Sequence, residues 1–271
     1  MRTIIAATNF SATANHAVAF AADLARGLKA RLIVFNAVDI LPVTTDIQVP
    51  LDFYEVAEEQ ADALLADLVL EMKRRTKNEI VIEALYKVGT VVNQLDVLCD
   101  EEDPLAVFIA SEFVTAFERI LWGTHSIPIA KRSSCPVVVV PATASLTDFK
   151  KIGIAIDLEG NDPVPWRVLR HWLELFTAAI DIVAVSPNAE LSPKDVPLTI
   201  DVQEQLDRFK PQYCFLANDH VEEGIRAYVA ENNPDLLIMF VQQHGLFHKS
   251  VTKSFILSPP VPVMFISPKV K

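Results

Sequence analysis

Few side chains in this sequence stand at spacings that do chemistry. His244-x3-His248 has the i, i+4 spacing of two metal ligands on one helix face. Gly245 interrupts it and no Glu or Cys stands nearby in sequence to complete a site, so a surface loop is the better reading. His125 follows Gly123-Thr124 where a helix is expected to start, and could meet an anion there. A solvated histidine at a helix end is the plainer role. Asp219-x-x-Glu222 offers paired carboxylates for acid–base work and is more simply a capping box opening a helix at 220. Asp100-Glu-Glu-Asp103 is a contiguous acidic run, not a spaced cation loop, and reads as the solvated end of a helix. Cys99, Cys135 and Cys214 lie far apart with no CxxC pair, so neither a disulfide framework nor a zinc site is indicated. A reducing compartment fits that usage. Cys135 could serve as a redox thiol, but beside Pro136 at the mouth of a buried strand a packed, inert thiol is expected.

Glycine excludes more. The 271 residues include only seven, against about 19 at the usual frequency. No two are closer than seven positions. A loop that cradles phosphate needs glycines close together, because its backbone must turn sharply and let oxygens approach the N–H groups. GxGxxG and Walker A loops are therefore absent, and with them the GxSxG elbow of the hydrolases. That spacing also argues against a flavin or dinucleotide oxidoreductase.

With 51% apolar and 22% charged residues the chain is expected to fold into one large domain or two. Its formal charge is −11, with acid in excess in both halves. Nucleic acid needs clustered cations, and Lys73-Arg74-Arg75-x-Lys77, the densest group, reads as a solvated helix end. No apolar run is long enough for a signal peptide or a membrane span. A cytoplasmic protein with neither nucleic-acid nor membrane partners is expected.

The elements that must position any site read as short apolar strands alternating with helices. Residues 2–8, 31–38, 80–86, 105–109 and 137–140 are strand-like, and helical stripes lie between them. Ser11 is the expected N-cap of the first helix, whose stripe is Val18, Ala21, Ala22 and Ala25; Ala57 to Met72 mark a long second helix, and 117–132 a fourth. After residue 148 the pattern restarts with strands at 151–156, 180–185, 213–216, 236–241 and 261–266. The helix after the first of these carries the stripe Val168, Leu169, Trp172 and Phe176, and a last helix falls near 248–257. Non-alternating strands separated by helices form a parallel sheet covered on both faces. Pairing Asn9 with Asp157, Gly89 with Asn218, Ala110 with Phe240 and Pro136 with Pro262 makes the chain an internal duplication. Its second half lacks most of the long second helix. The apolar strands 137–140 and 263–266 are edges that must pair with each other or with another chain.

This order, together with Ile4-Ile-Ala-Ala-Thr-Asn-Phe-Ser11, Val88-Gly-Thr-Val-Val-Asn-Gln-Leu95, Gly123-Thr124, Asp235-Leu-Leu-Ile-Met-Phe240 and Val261-Pro-Val263, resembles a tandem member of the universal stress protein family. The resemblance implies two Rossmann-like α/β domains, at 1–144 and 149–271, each a five-stranded parallel sheet of order 3-2-1-4-5, packed as a pseudo-dimer. Nucleotide-binding members of the family hold ATP with an Asp ending the first strand, a Val ending the second, and G-x2-G-x9-G-[ST] after the fourth.

Tested residue by residue, the signature is broken twice. In the first half the Asp and Val positions hold Asn9 and Ala37, and the first two glycines are Ala110 and Phe113, although Gly123-Thr124 is intact. In the second half Asp157 and Val185 are kept, but the glycines are Phe240 and Gln243 and a shortened loop leads to Lys249-Ser250. The candidate nucleotide or anion pocket residues are therefore Asp157, Val185, Lys249, Ser250, Gly123 and Thr124. The expected function is non-catalytic: a stress-response protein binding a partner or a small ligand, with ATP binding lost and no required cofactor or metal. The alternative is an ATP-binding or weakly hydrolysing switch in the second half. Pairing between the halves is expected, and a homodimer or an unidentified protein partner is left open.

Overall fold

The computed structural model describes residues 1–38, 53–111, 126–145, 148–157, 164–187, 197–241 and 249–270. The first half runs β1 (Thr3–Ala7), α1 (Ala12–Leu28), β2 (Arg31–Val38), α2 (Phe53–Arg75), β3 (Ile82–Val88), α3 (Val91–Glu102), β4 (Val107–Ala110), α4 (Ser126–Arg132) and β5 (Val137–Val140). The second runs β6 (Lys151–Ile156), α5 (Trp166–Leu173), β7 (Ala179–Ser186), α6 (Pro197–Leu206), β8 (Gln212–Ala217), α7 (Val221–Asn232), β9 (Leu236–Phe240), α8 (Lys249–Leu257) and β10 (Val263–Ile266). The duplication is thus visible element by element, and α6 with 10 residues is the trimmed counterpart of α2 with 23.

Local chemistry accounts for the boundaries. The Ser11 Oγ accepts a hydrogen bond from the Ala14 N–H and opens α1, which closes at Lys29 in the left-handed conformation. Val18, Ala21, Ala22 and Ala25 form its buried stripe. The cationic run at 73–75 ends α2, where Arg75 forks onto both carboxylate oxygens of Asp23 in α1. The acidic run at 100–103 ends α3 at Asp103, also left-handed; Glu101 pairs with Lys87, and Glu102 with Arg31. Some strands begin two residues later than their apolar runs, at Ile82, Val107 and Val263. Phe176 lies beyond the end of α5 and packs edge-on against Phe149 with ring centres 5.0 Å apart, so it extends the helix's core contacts without being helical. Of the fourth helix only 126–132 falls within the described residues.

All ten strands form one sheet in the order β3-β2-β1-β4-β5-β10-β9-β6-β7-β8. Each half has the order 3-2-1-4-5, parallel throughout, and the two meet at an antiparallel seam that pairs Val139 with Val263, Val138 with Met264 and Val137 with Phe265. The two apolar edges therefore close against each other. Both faces of the sheet are covered. One core holds Ile4, Val34, Phe108, Phe149, Trp172 and Met264, the other Ile5, Phe35, Val139, Tyr228, Phe255 and Phe265, so each crosses the seam.

Candidate functional site

In an open, doubly wound sheet ligands lie beyond the carboxyl ends of the strands, where the strand order reverses. Here that point falls between β1 and β4 in the first half and between β6 and β9 in the second. Asn9 stands just past β1, and its Oδ1 accepts from the Ser11 N–H at 3.1 Å and from the Ser11 hydroxyl at 2.7 Å. The turn is further knit by Thr8, whose Oγ1 accepts from the Phe10 N–H at 2.8 Å, and by Asn36, whose amide donates to the Thr8 carbonyl. Phe10 itself takes a φ of 65°. Across the reversal Ala110 is buried at the end of β4, and the buried Ser111 Oγ that follows has no hydrogen-bond partner among the described residues.

In the second half Asp157 is buried immediately after β6, one position beyond the Ile156–Ala184 pair and so level with Val185. Phe240 ends β9 beside them, and Lys249 and Ser250 open α8. The Val185 side chain packs beneath α7, where an added Cβ on Gly224 would stand 2.6 Å from its Cγ1. Gly123, Thr124, His125, Phe113, Gln243 and the pair His244/His248 lie outside the described residues. The structure thus brings Asp157, Val185 and the start of α8 to one end of the sheet. Among the described residues no group of His, Cys, Asp and Glu is arranged to hold a metal.

Three features escape the sequence reading. A polar network lies inside the second half: the Tyr228 hydroxyl donates to Asp181 Oδ2 at 2.7 Å and Lys151 Nζ stands 3.1 Å from the same oxygen. Asp181 is 2% exposed. Burial, then the hydrogen bond to Asp181, push the Tyr228 phenol far above its ordinary value. Burial and the Asp181 charge likewise raise the neighbouring Cys214 thiol, keeping it protonated. The one signal was a lone Asp inside the apolar run of β7.

Secondly, Asp219 and Glu222 form no capping box. His220 is the N-cap of α7, its N–H bonded to Asn218 Oδ1. Glu222 instead accepts from Ser254 and Arg226, tying α7 to α8. Burial raises the Glu222 carboxyl, but those two donors outweigh it and hold the group below its ordinary value.

Thirdly, Cys99 and Cys135 are joined as a disulfide with their Cα atoms 6.0 Å apart. This corrects the expectation of unpaired, inert thiols. The 3-2-1-4-5 order sets the end of α3 beside the start of β5, a proximity that 36 residues of separation conceal. A cleft of about 570 Å³ lies over the pair at the amino ends of β4 and β5, bounded by Asp100, Pro104, Pro136, Arg167 and His171. Trp172 closes one wall, its Nε1 donating to the Leu105 carbonyl across the halves at 2.7 Å.

Strand order, crossover pattern and switch points define a doubly wound α/β protein built twice. The universal stress protein family model matches residues 1–141, and the chain belongs to that family. A universal stress protein from Archaeoglobus fulgidus DSM 4304 is similar over 98% of this chain and 96% of its own, with a TM-score of 0.74 and 16% identity. A functionally unknown protein from Pseudomonas aeruginosa PAO1 is similar over 99% and 93%, with a TM-score of 0.62 and 12% identity. The cytoplasmic domain of a prokaryotic cation chloride cotransporter shares the fold over 100% and 96%, with a TM-score of 0.55 and 8% identity. No curated protein matches the sequence. Among the described residues no helix is long and apolar enough to cross a membrane.

Proposed function

We propose that this protein is a non-catalytic member of the universal stress protein family that acts by binding a partner or a small ligand and has lost ATP binding. The observation that carries the reading is the turn after β1, where Asn9 replaces the family's Asp and spends its side-chain oxygen on Ser11. That oxygen is then engaged by local donors, with which a ribose or adenine would have to compete. Ala110 and Phe240 at the glycine positions support it, since a Cβ or a ring stands where backbone N–H groups should approach phosphate. In this reading residues 1–144 and 149–271 are the two domains, joined at the β5–β10 seam, and the protein works in the cytoplasm alone or as a homodimer, without nucleic acid or membrane.

A second reading is favoured by one observation: Asp157 is buried at the switch point, level with Val185 and at the same end of the sheet as the start of the helix that begins at Lys249-Ser250. These residues would take ATP in the second domain, with Gly123 and Thr124 a remnant anion site in the first. Thermal unfolding with and without millimolar ATP and magnesium separates the two. A ligand bound at micromolar Kd raises stability by about 3–4 kcal/mol under those conditions, or roughly 5 °C or more in Tm. No shift supports the first reading. A shift abolished by Asp157→Ala or Lys249→Ala supports the second.

A further inference from the structure

Cys99 lies in the last turn of α3 and Cys135 in the turn that leads into β5, and they are 4% and 5% exposed. The Ser133 hydroxyl stands 3.6 Å from the Cys99 sulfur and 3.3 Å from the Cys135 sulfur, and accepts from the Cys135 N–H. A hydroxyl so placed can turn its proton to whichever sulfur carries charge. Both cysteines also line the 570 Å³ cleft, together with Ser134, the carboxylates Asp100 and Asp103, and Arg167 and His171 of α5. The third cysteine, Cys214, sits on β8 at the far side of the sheet, with its thiol raised by burial and by Asp181.

We propose that Cys99 and Cys135 are a peroxide-responsive dithiol, oxidised inside the fold to the bond seen in the structure, with the cleft as the route by which a small hydroperoxide enters. The inference is independent of the functional reading above and stands whether or not ATP binds. One thiolate attacks a peroxide oxygen, the O–O bond breaks, and the departing hydroxide takes a proton to leave as water. The resulting sulfenic sulfur is attacked by the second cysteine, the S–O bond breaks, and a second water leaves with that cysteine's proton. Two thiols and one hydrogen peroxide thus give one disulfide and two waters. A dithiol reductant reverses the change by two thiol–disulfide exchanges and is itself oxidised to a disulfide. The near-complete burial of both sulfurs admits a small peroxide more readily than a bulky disulfide reagent. Oxidation ties α3 to the strand that forms the inter-half seam, so the change is felt at the centre of the sheet.

The test uses the full chain. Protein reduced with dithiothreitol and desalted is treated with hydrogen peroxide, then unfolded and alkylated, and its labels are counted by intact mass and located by peptide mapping. Reduced protein should take three labels, one at each cysteine. Oxidised protein should take one, at Cys214, be two hydrogens lighter before labelling, and yield a linked Cys99–Cys135 peptide. Dithiothreitol in native buffer should restore all three labels. Cys214→Ser should leave the linkage unchanged, whereas Cys99→Ser should stop at a sulfenic acid on Cys135 that dimedone traps. Three labels after peroxide, a linkage through Cys214 or between chains, or a bond that excess dithiothreitol leaves intact in the folded protein would each overturn the proposal. Those outcomes are read on the unsubstituted chain, so a variant that fails to fold does not shield it.

Discussion

The Tyr228 hydroxyl, carried by α7, reaches through the core to Asp181 in β7 and bonds it at 2.7 Å, within a site that leaves Asp181 2% exposed. Gly153 makes this possible: an added Cβ there would stand 2.8 Å from the tyrosine ring. The helix therefore sits down on the sheet only because one strand lacks a side chain and the next supplies an acceptor. Tyr228→Phe keeps the ring and removes the donor, leaving Asp181 paired with Lys151. A loss of about 1–3 kcal/mol is expected, read from the urea midpoint at neutral pH.

The same phenol sets an alkaline limit. Its value is raised in the fold, by burial first and by Asp181 second, while in the unfolded chain it stays near 10. Below about pH 10 the tyrosine is neutral in both states and its contribution is intact. Above that the unfolded chain gives up its proton first, so stability falls as pH rises toward the folded value. Urea midpoints measured from pH 8 to 11 should decline for the native chain beyond pH 10 and decline less steeply for Tyr228→Phe; parallel curves would contradict the assignment.

Val185 and Gly224 give a coupled pair. A methyl on Gly224 would meet both γ-carbons of Val185, at 2.6 and 2.9 Å, and a β-branched side chain on a central strand has little freedom to move aside. Gly224→Ala should cost about 1–3 kcal/mol. In the double variant with Val185→Ala the added methyl occupies the vacated space, and the combined loss should fall short of the sum by about 0.5–3 kcal/mol. Additive losses would mean that the two positions do not touch.

Trp172 anchors one half to the other through a single donor. Trp172→Phe removes the donor to the Leu105 carbonyl at a site where Trp172 is 1% exposed, and should cost about 1–3 kcal/mol before any cavity is counted. Guanidinium titration of the full chain, followed by circular dichroism, measures it.

Much of this architecture was legible in the sequence because it rests on local signals. Unbroken apolar runs such as 137–140 mark buried strands, Ser11 marks a helix start, and the repeat of strand and helix marks the duplication. The seam was legible as a problem, two apolar edges in need of a partner, and the structure supplies the antiparallel solution. What was hidden depends on contacts between distant residues. Asp219 and Glu222 have the spacing of a capping box, yet Ser254 on α8 and Arg226 one turn on in α7 claim Glu222. Cys99 and Cys135 have no telling spacing and meet only because strand order folds their elements together. Asp157 and Val185 lie level at the switch point, as their places at the ends of the first two strands of the repeat imply, but the capture of Asn9 by Ser11 is a matter of side-chain geometry that no spacing reveals.

The two halves should unfold as one unit. The sheet is continuous through β5 and β10, and the core on each face contains residues from both halves, so neither half can lose its packing without exposing apolar surface of the other. A single calorimetric transition is expected, with calorimetric and van't Hoff enthalpies in agreement and an enthalpy near 0.7 kcal/mol per residue around 60 °C, to order of magnitude. Met264, buried at the seam opposite Val138, offers the perturbation. Met264→Ala should remove about 2–5 kcal/mol and move the whole transition down in temperature while leaving it single. Two resolved transitions in the native chain, or a Met264→Ala shift confined to one of two components, would show instead that the seam joins two independently stable bodies.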